Sequence, residues 1–258
     1  MGYLERLETY REEMVNTLRE SVAFPSVKGD PVKTADGEIL PFGRGIHDSL
    51  VHILDAASKM GFESHNVDNY AGYIDCKVPE EKAAEAKTVG VVGHMDVVPT
   101  GEGWSHDPFD MIEKDGFLYG RGTADDKGPV IACLYAMKAL REEGVPLRNN
   151  IRVILGLDEE TGEESIKYYT DRFGHPDMGF TPDGDFPVVN GEMGIMIFDL
   201  AQKFSKVPDK DDLRLTRLQG GTAHNAVPAS AKALLALVGS ATVSNKGKTR
   251  TLPTGTLL

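Results

Sequence analysis

Two cysteines in 258 residues, Cys76 and Cys133, exclude a disulfide framework, and neither belongs to a Cys-x-x-Cys pair. They read as buried free thiols in a reducing compartment. No apolar run approaches the roughly 18 residues that a membrane-spanning helix needs. The N-terminus, MGYLERLETYREEM, is charged from Glu5 onward and lacks the apolar stretch of a signal peptide. Arg6 breaks the myristoylation pattern. These absences predict a cytoplasmic protein. Basic charge is scarce as well: 28 Lys and Arg stand against 40 Asp and Glu, a net charge of -12. Non-specific nucleic-acid binding needs clustered cations to displace counterions. Neither nucleic acid nor an anionic membrane is therefore an expected partner. The phosphate-loop pattern, the dinucleotide G-x-G-x-x-G spacing and the G-x-S-x-G elbow of serine hydrolases are also missing.

What is present is an ordinary globular composition, 40% hydrophobic and 26% charged. At about 150 residues per domain the length predicts one to two domains. A chain of this size buries roughly 70% of its unfolded surface without needing staples. Leu4, Leu7, Met14 and Leu18 predict an N-terminal helical segment, and Ser26 to Gly45 reads as a long loop. Ile46, Leu50, Ile53, Leu54, Ala57 and Met60 form a helical stripe stopped by Gly61. Further helices are expected over about Gly128–Glu143, stopped by Gly144, and about Glu163–Phe173. Strands are expected around Glu63–Val67, Gly72–Val78, Thr88–Val92, Ile151–Leu157 and Met178–Thr181. Strands alternating with helices predict an α/β fold, a mostly parallel sheet with helices on both faces. From Leu213 onward the chain has six Lys and Arg and no Asp or Glu. That change marks either a second domain or a tail.

In open α/β sheets, ligands bind beyond the carboxyl ends of the strands. Three predicted strands end there in His94-Met95-Asp96, in Asp158-Glu159-Glu160 and in Asp183, and the loop before the second long helix adds Asp125-Asp126. Taken singly, such residues are ordinarily solvated or cap a helix. Their convergence on one edge is what points to chemistry. Asp158, Glu159, Glu160, Glu163 and Glu164 also place five carboxylates within seven positions. Packed together they repel one another unless a cation neutralises them, although a helix N-terminus could absorb part of the charge. Histidine nitrogen with carboxylate oxygen suits zinc, with manganese or cobalt as substitutes. The glycine-rich loop Gly120–Pro129, GRGTADDKGP, is not a phosphate cradle, because Asp125 and Asp126 would repel the anion.

The ordered set GHMDVVP (Gly93–Pro99), Trp104 with Asp107-Pro108-Phe109, GRGTADDKG and DEETG (Asp158–Gly162) resembles the di-zinc peptidase and deacylase family. That family includes glutamate carboxypeptidase, acetylornithine deacetylase and succinyl-diaminopimelate desuccinylase. TPDGDFPVVNGEMG (Thr181–Gly194) and GGTAHNAVP (Gly220–Pro228) are most similar to its PepV-type dipeptidases. The resemblance spans about residues 1–235. It implies a zinc-peptidase-like catalytic domain over residues 1–203, followed by the start of an α+β lid over 204–258. It implies that His94 and Asp183 hold one zinc, Glu160 the other, and that Asp125 bridges them. Asp96 would orient His94, Glu159 would be the general base, and Asn225 would contact substrate, while His224 has no matching role.

The implied reaction is hydrolysis of a dipeptide, with a small peptide as partner. An N-acyl-amino-acid deacylase such as a desuccinylase, and a non-catalytic metal-binding remnant, are the alternatives. Family chains run well past Leu258 and supply a further histidine to the second zinc. His47, His52, His65, His106, His175 and His224 match no such position. The expectation is therefore an inactive, C-terminally incomplete chain. Nothing in the sequence predicts the oligomeric state.

Overall fold

The computed structural model describes residues 1–185 continuously, then 188–191, 193–194, 196, 198, 200–201, 213–221, 227–228, 230–237, 241–245 and 248–252. The chain divides into two compact units, Met1–Val189 and Asn190–Leu258.

The first unit opens with two helices, α1 (Tyr3–Thr9) and α2 (Arg11–Val22), where the apolar spacing predicts a single segment. The break falls at Tyr10. Its ring is buried beside Tyr135, and its hydroxyl donates to the Glu142 carboxylate. Core packing at that one position overrides the helical period, and Leu4 is left exposed. The expected long loop contains a two-residue hairpin, β1 (Val32–Lys33) with β2 (Ile39–Leu40).

Helix α3 (Arg44–Lys59) buries Ile46, Leu50, Ile53, Leu54 and Ala57, the predicted stripe. Gly61 ends it as expected: at φ 83° it lets its own N–H reach the Ser58 carbonyl and the Phe62 N–H reach Ala57. Gly144 repeats the same stop after α4 (Lys127–Glu142), with Val145 bonded back to Leu140. In both places, the glycine supplies a left-handed residue that closes the helix carbonyls.

Strands β3 (Glu63–Val67), β4 (Ala71–Cys76), β5 (Thr88–His94), β8 (Asn150–Gly156) and β9 (Met178–Phe180) build one sheet, ordered β3-β4-β8-β5-β9. Pairs β8–β5 and β5–β9 are parallel, whereas β3–β4 and β4–β8 are antiparallel. The sheet is therefore mixed. Only β4 runs against the others, so the mostly parallel expectation holds for strand direction but not for half of the ladders.

Alternation along the strands sorts two cores. Ile74, Val91, Val153 and Leu155 pack with α3 and α4 on one face, while Ile154 packs with Tyr169 of α5 (Glu164–Phe173) on the other. Helices do cover both faces. A further hairpin, β6 (Ile112–Lys114) with β7 (Phe117–Tyr119), lies outside the expected elements. Asp115 and Gly116, both at positive φ, form its two-residue turn, and Asp-Gly between short apolar runs is a strong hairpin signal.

In the second unit, β10 (Leu213–Gly220) pairs antiparallel with β11 (Ala231–Leu237), and β12 (Ala241–Asn245) with β13 (Lys248–Leu252). No described helix is long and apolar enough to cross a membrane.

Candidate active site

His94 is the last residue of β5, and β5 ends level with β8: the Met95 N–H donates to the Gly156 carbonyl at 2.9 Å. The N-terminus of α4 sits directly against this end. A Cβ on Gly93 would come within 2.4 Å of Val130 and 2.5 Å of the Asp126 carboxylate, so only glycine fits there. Asp126 is fully buried and accepts the His94 backbone N–H at 3.1 Å. Its neighbour Asp125, joined to it by a cis peptide, brings its carboxylate to the imidazole Nε2.

The imidazole is 2% exposed and is gripped from behind. Nδ1 lies 3.0 Å from the Asp96 carbonyl and 3.3 Å from Asp96 Oδ1. Nε2 faces Asp125 Oδ1 at 3.0 Å, Asp183 Oδ2 at 3.5 Å and Glu159 Oε2 at 3.9 Å. Although Asp125 is at hydrogen-bond distance, this buried nitrogen has no partner of hydrogen-bond geometry among the described residues. Two donors bound at 2.0–2.2 Å to one tetrahedral ion sit about 3.3 Å apart. The distances to Asp125 and Asp183 are close to the spacing of ligands around one cation.

Among the described residues, two groups of side chains could hold an ion, His94 with Asp125 and Asp183, and His94 with Glu159 and Glu160. In each, the ligand atoms lie within 4.8 Å of one another. The predicted residues His94, Asp125, Glu159, Glu160 and Asp183 thus come together from four separate segments, as their placement at element ends predicts. Asn225 and His224 lie outside the described residues.

The Asp158-Glu159-Glu160 run does not act as one patch. Asp158 turns inward, 1% exposed, and accepts the N–H groups of Glu164 at 3.2 Å and Ser165 at 2.9 Å. It caps α5, and Lys28 lies 3.5 Å from it. Glu163 and Glu164 are exposed and belong to neither group, which corrects the five-carboxylate cluster to a smaller one drawn from several loops. Asp96, 1% exposed, accepts the N–H of Glu159 at 3.2 Å and of Glu160 at 3.1 Å. One buried carboxylate therefore fixes both the histidine and the glutamate turn.

Charge crowding shows in the proton affinities. Burial, then Asp125, push Glu160 up to about 7, and burial pushes Glu159 above the usual carboxylate range. Burial also pushes Asp126 up to about 7. Burial alone would lower His94, but Asp125 and Asp96 outweigh it and raise the imidazole to about 11. Contact with His94 holds Asp125 low. A metal at Nε2 would displace that proton, and its charge would relieve the carboxylates.

Lys127, two residues after Asp125, is a buried charge that the strand-end pattern does not pick out. It is fully buried and donates to the carbonyls of Ser21 at 2.8 Å and Phe24 at 2.9 Å, and burial lowers its pKa to about 7. Its ammonium ties the start of α4 to the end of α2. A lysine at a helix N-terminus opposes the helix dipole, and that conflict is the signal in the sequence that could have found it.

Fold and site together define an α/β protein with candidate metal-ligand groups at the carboxyl end of its sheet. Residues 90–255 match the model of peptidase family M20/M25/M40, and the chain belongs to that family. It is 37% identical over 236 residues to a Beta-Ala-Xaa dipeptidase of Lactobacillus delbrueckii subsp. lactis, an alignment covering 91% of this chain and 48% of that one. Human carnosine dipeptidase 1 superposes with TM-score 0.58 at 27% identity, over 70% of this chain and 40% of that one. The dipeptidase Dug1p of Saccharomyces cerevisiae shares the fold, with TM-score 0.53 at 19% identity over 66% of this chain and 37% of that one. The chain spans about half the length of the curated relatives it matches.

Proposed function

We propose that this chain carries the catalytic zinc site of a dipeptidase. The observation that carries the reading is His94 Nε2, buried, without a hydrogen-bond partner among the described residues, and faced at 3.0–3.5 Å by Asp125 and Asp183. Those three side chains would hold one ion, with Asp125 shared and Glu160 serving a second. Glu160 has the stronger need of a cation, since its carboxyl is raised to about 7. Glu159, 47% exposed and beside His94, is left free to act as general base. When bound, zinc supplies Lewis acidity toward a peptide carbonyl and toward water.

Glu159 would take the proton of the attacking water and deliver it to the departing amine. Asp96 would keep His94 in one tautomer and hold the Glu159–Glu160 turn beneath the substrate. Residues 1–203 form the catalytic domain in this reading, and 204–258 begin a lid whose Asn225 contacts the substrate. Relatives with dipeptidase names favour a peptide over an N-acyl amino acid as substrate. Free Cys76 and Cys133 support a reducing, cytoplasmic setting. Release of free amino acids from a panel of dipeptides and N-acyl amino acids, with zinc, manganese or cobalt supplied, by a form of the protein that turns over substrate, tests the reading. Turnover of the acyl substrates alone would overturn it.

A further inference from the structure

The site depends on two loops whose mutual spacing no backbone bond sets. Residues 94–100 carry His94 and Asp96, residues 120–126 carry Asp125, and among the described residues no backbone hydrogen bond joins the two stretches. Side chains join them instead. At the near end, Asp126 accepts the His94 N–H. At the far end, Arg121 Nη2 donates to the carbonyls of Pro99 at 3.4 Å and Thr100 at 3.3 Å. The Arg121 guanidinium also lies 5.5 Å from the centre of the Trp104 ring, whose Nε1 donates to the same Thr100 carbonyl at 2.7 Å. Arg121 is itself anchored, its backbone N–H donating to Pro108 at 2.7 Å. Between these ends the loops touch: a Cβ on Gly122 would lie 3.0 Å from Val97.

We propose that Arg121, braced by Trp104, is a positioning residue that sets the distance between His94 and Asp125, and through it the affinity of the site for a divalent metal. The inference rests on the zinc reading of the site. Its physical basis is the narrow tolerance of a metal site, where ligand distances must hold to about 0.2 Å. The 3.0 Å spacing of His94 Nε2 and Asp125 Oδ1 spans the two loops, so any drift between them is felt in full. Arginine suits this position because Nη2 reaches both carbonyls while the flat guanidinium lies near the indole. Lysine keeps the charge but cannot do both.

The test is zinc affinity of the 258-residue chain, measured by competition with a chelating dye, for the parent, Arg121→Met and Arg121→Lys. Trp104 is the only tryptophan, so its emission reports directly whether the brace has been released. The expected result is a shift of Trp104 emission to longer wavelength in both variants, with zinc affinity lower by at least about tenfold. The melting temperature of chelator-treated protein should stay within a few degrees of the parent. Affinity within threefold of the parent in both variants would overturn the proposal. So would full affinity in Arg121→Lys alone, which would make charge and not position the cause. A loss of affinity matched by an equal collapse of the chelated fold would reduce Arg121 to a general stabiliser and overturn it too. If the parent itself binds no zinc, the metal reading falls, and the role of Arg121 falls with it.

Discussion

Asp96 and His94 lock together on one strand end, with Asp96 Oδ1 3.3 Å from His94 Nδ1 and the Asp96 carbonyl at 3.0 Å. Because Nδ1 is engaged, Nε2 is the one nitrogen His94 can offer outward, and both candidate ligand groups draw on it. A second ion would have to do without this nitrogen and rest on Glu160 and the shared Asp125.

That constraint predicts the metal content. The chain should bind close to one zinc tightly, and His94→Ala should bind almost none, as measured by elemental analysis after gel filtration. A ligand that binds only the native state at a hundredfold excess over Kd adds about 2.7 kcal/mol. For a chain of this size that is a rise of roughly 5–10 °C in Tm. A melting curve indifferent to both chelator and zinc would remove the metal from the site.

Glu159 and Glu160 should separate by function in any form of the protein that turns over dipeptide. In the proposed roles Glu159→Gln removes a base without removing a ligand, so activity should fall by about 10²-fold or more with zinc retained. Glu160→Ala should lose metal as well as activity. Parallel activity and metal assays decide, and metal loss from Glu159→Gln with retention in Glu160→Ala would exchange the two roles.

Away from the site, Arg152 pairs with Asp75 through two hydrogen bonds, 2.6 and 2.7 Å, and Asp75 is only 6% exposed. Removing the guanidinium leaves a buried carboxylate uncompensated, which costs about 3 kcal/mol. Urea unfolding of Arg152→Met should show that loss, and Arg152→Met with Asp75→Asn should recover part of it. A change below about 1 kcal/mol would mean that Lys77, 4.0 Å from Asp75, takes over.

Burial, then the nearby charge of Asp126, push the Cys133 thiol up to about 11, and burial raises Cys76 too. At pH 8 a thiol at 11 is about one part in a thousand thiolate, against about a quarter for a free cysteine. Native protein should therefore react slowly with a disulfide reagent at pH 8, and quickly once unfolded. The sign for stability follows from the raised folded-state value. The native state holds the proton more tightly, so this contribution is intact below pH 9 and is lost as pH rises toward 11. Rapid labelling of folded protein would place the thiols in water.

How much of this is legible in the sequence differs by residue. His94, Asp125, Glu159, Glu160 and Asp183 are legible because each lies at or a few residues past a strand end or just before a helix, and element ends can be read from local periodicity and glycine stops. Gly61 and Gly144 are legible for the same reason. The Asp115-Gly116 hairpin carries a clear local signal, but its three-residue strands are too short for their periodicity to stand out. Tyr10 is not legible, because its place in the core depends on Tyr135 and Glu142, far away in the chain.

The sequence by itself determined the α/β class, the helix stops and the set of residues that reach one edge of the sheet, since periodicity and turn chemistry act over a few neighbours. Only the tertiary structure decided which way β4 runs, because its partner β8 lies some 75 residues later and either direction buries the same side chains. It also decided which carboxylates of the acidic run face His94. Asp158 and Glu159 are adjacent and chemically alike, yet one is drawn under α5 by the N–H groups of Glu164 and Ser165 while the other stays half-exposed, 3.9 Å from His94 Nε2. Unpaired helix N–H groups compete for the nearest buried acceptor, and which acceptor is nearest is settled only when the strand end and the helix start are packed against each other.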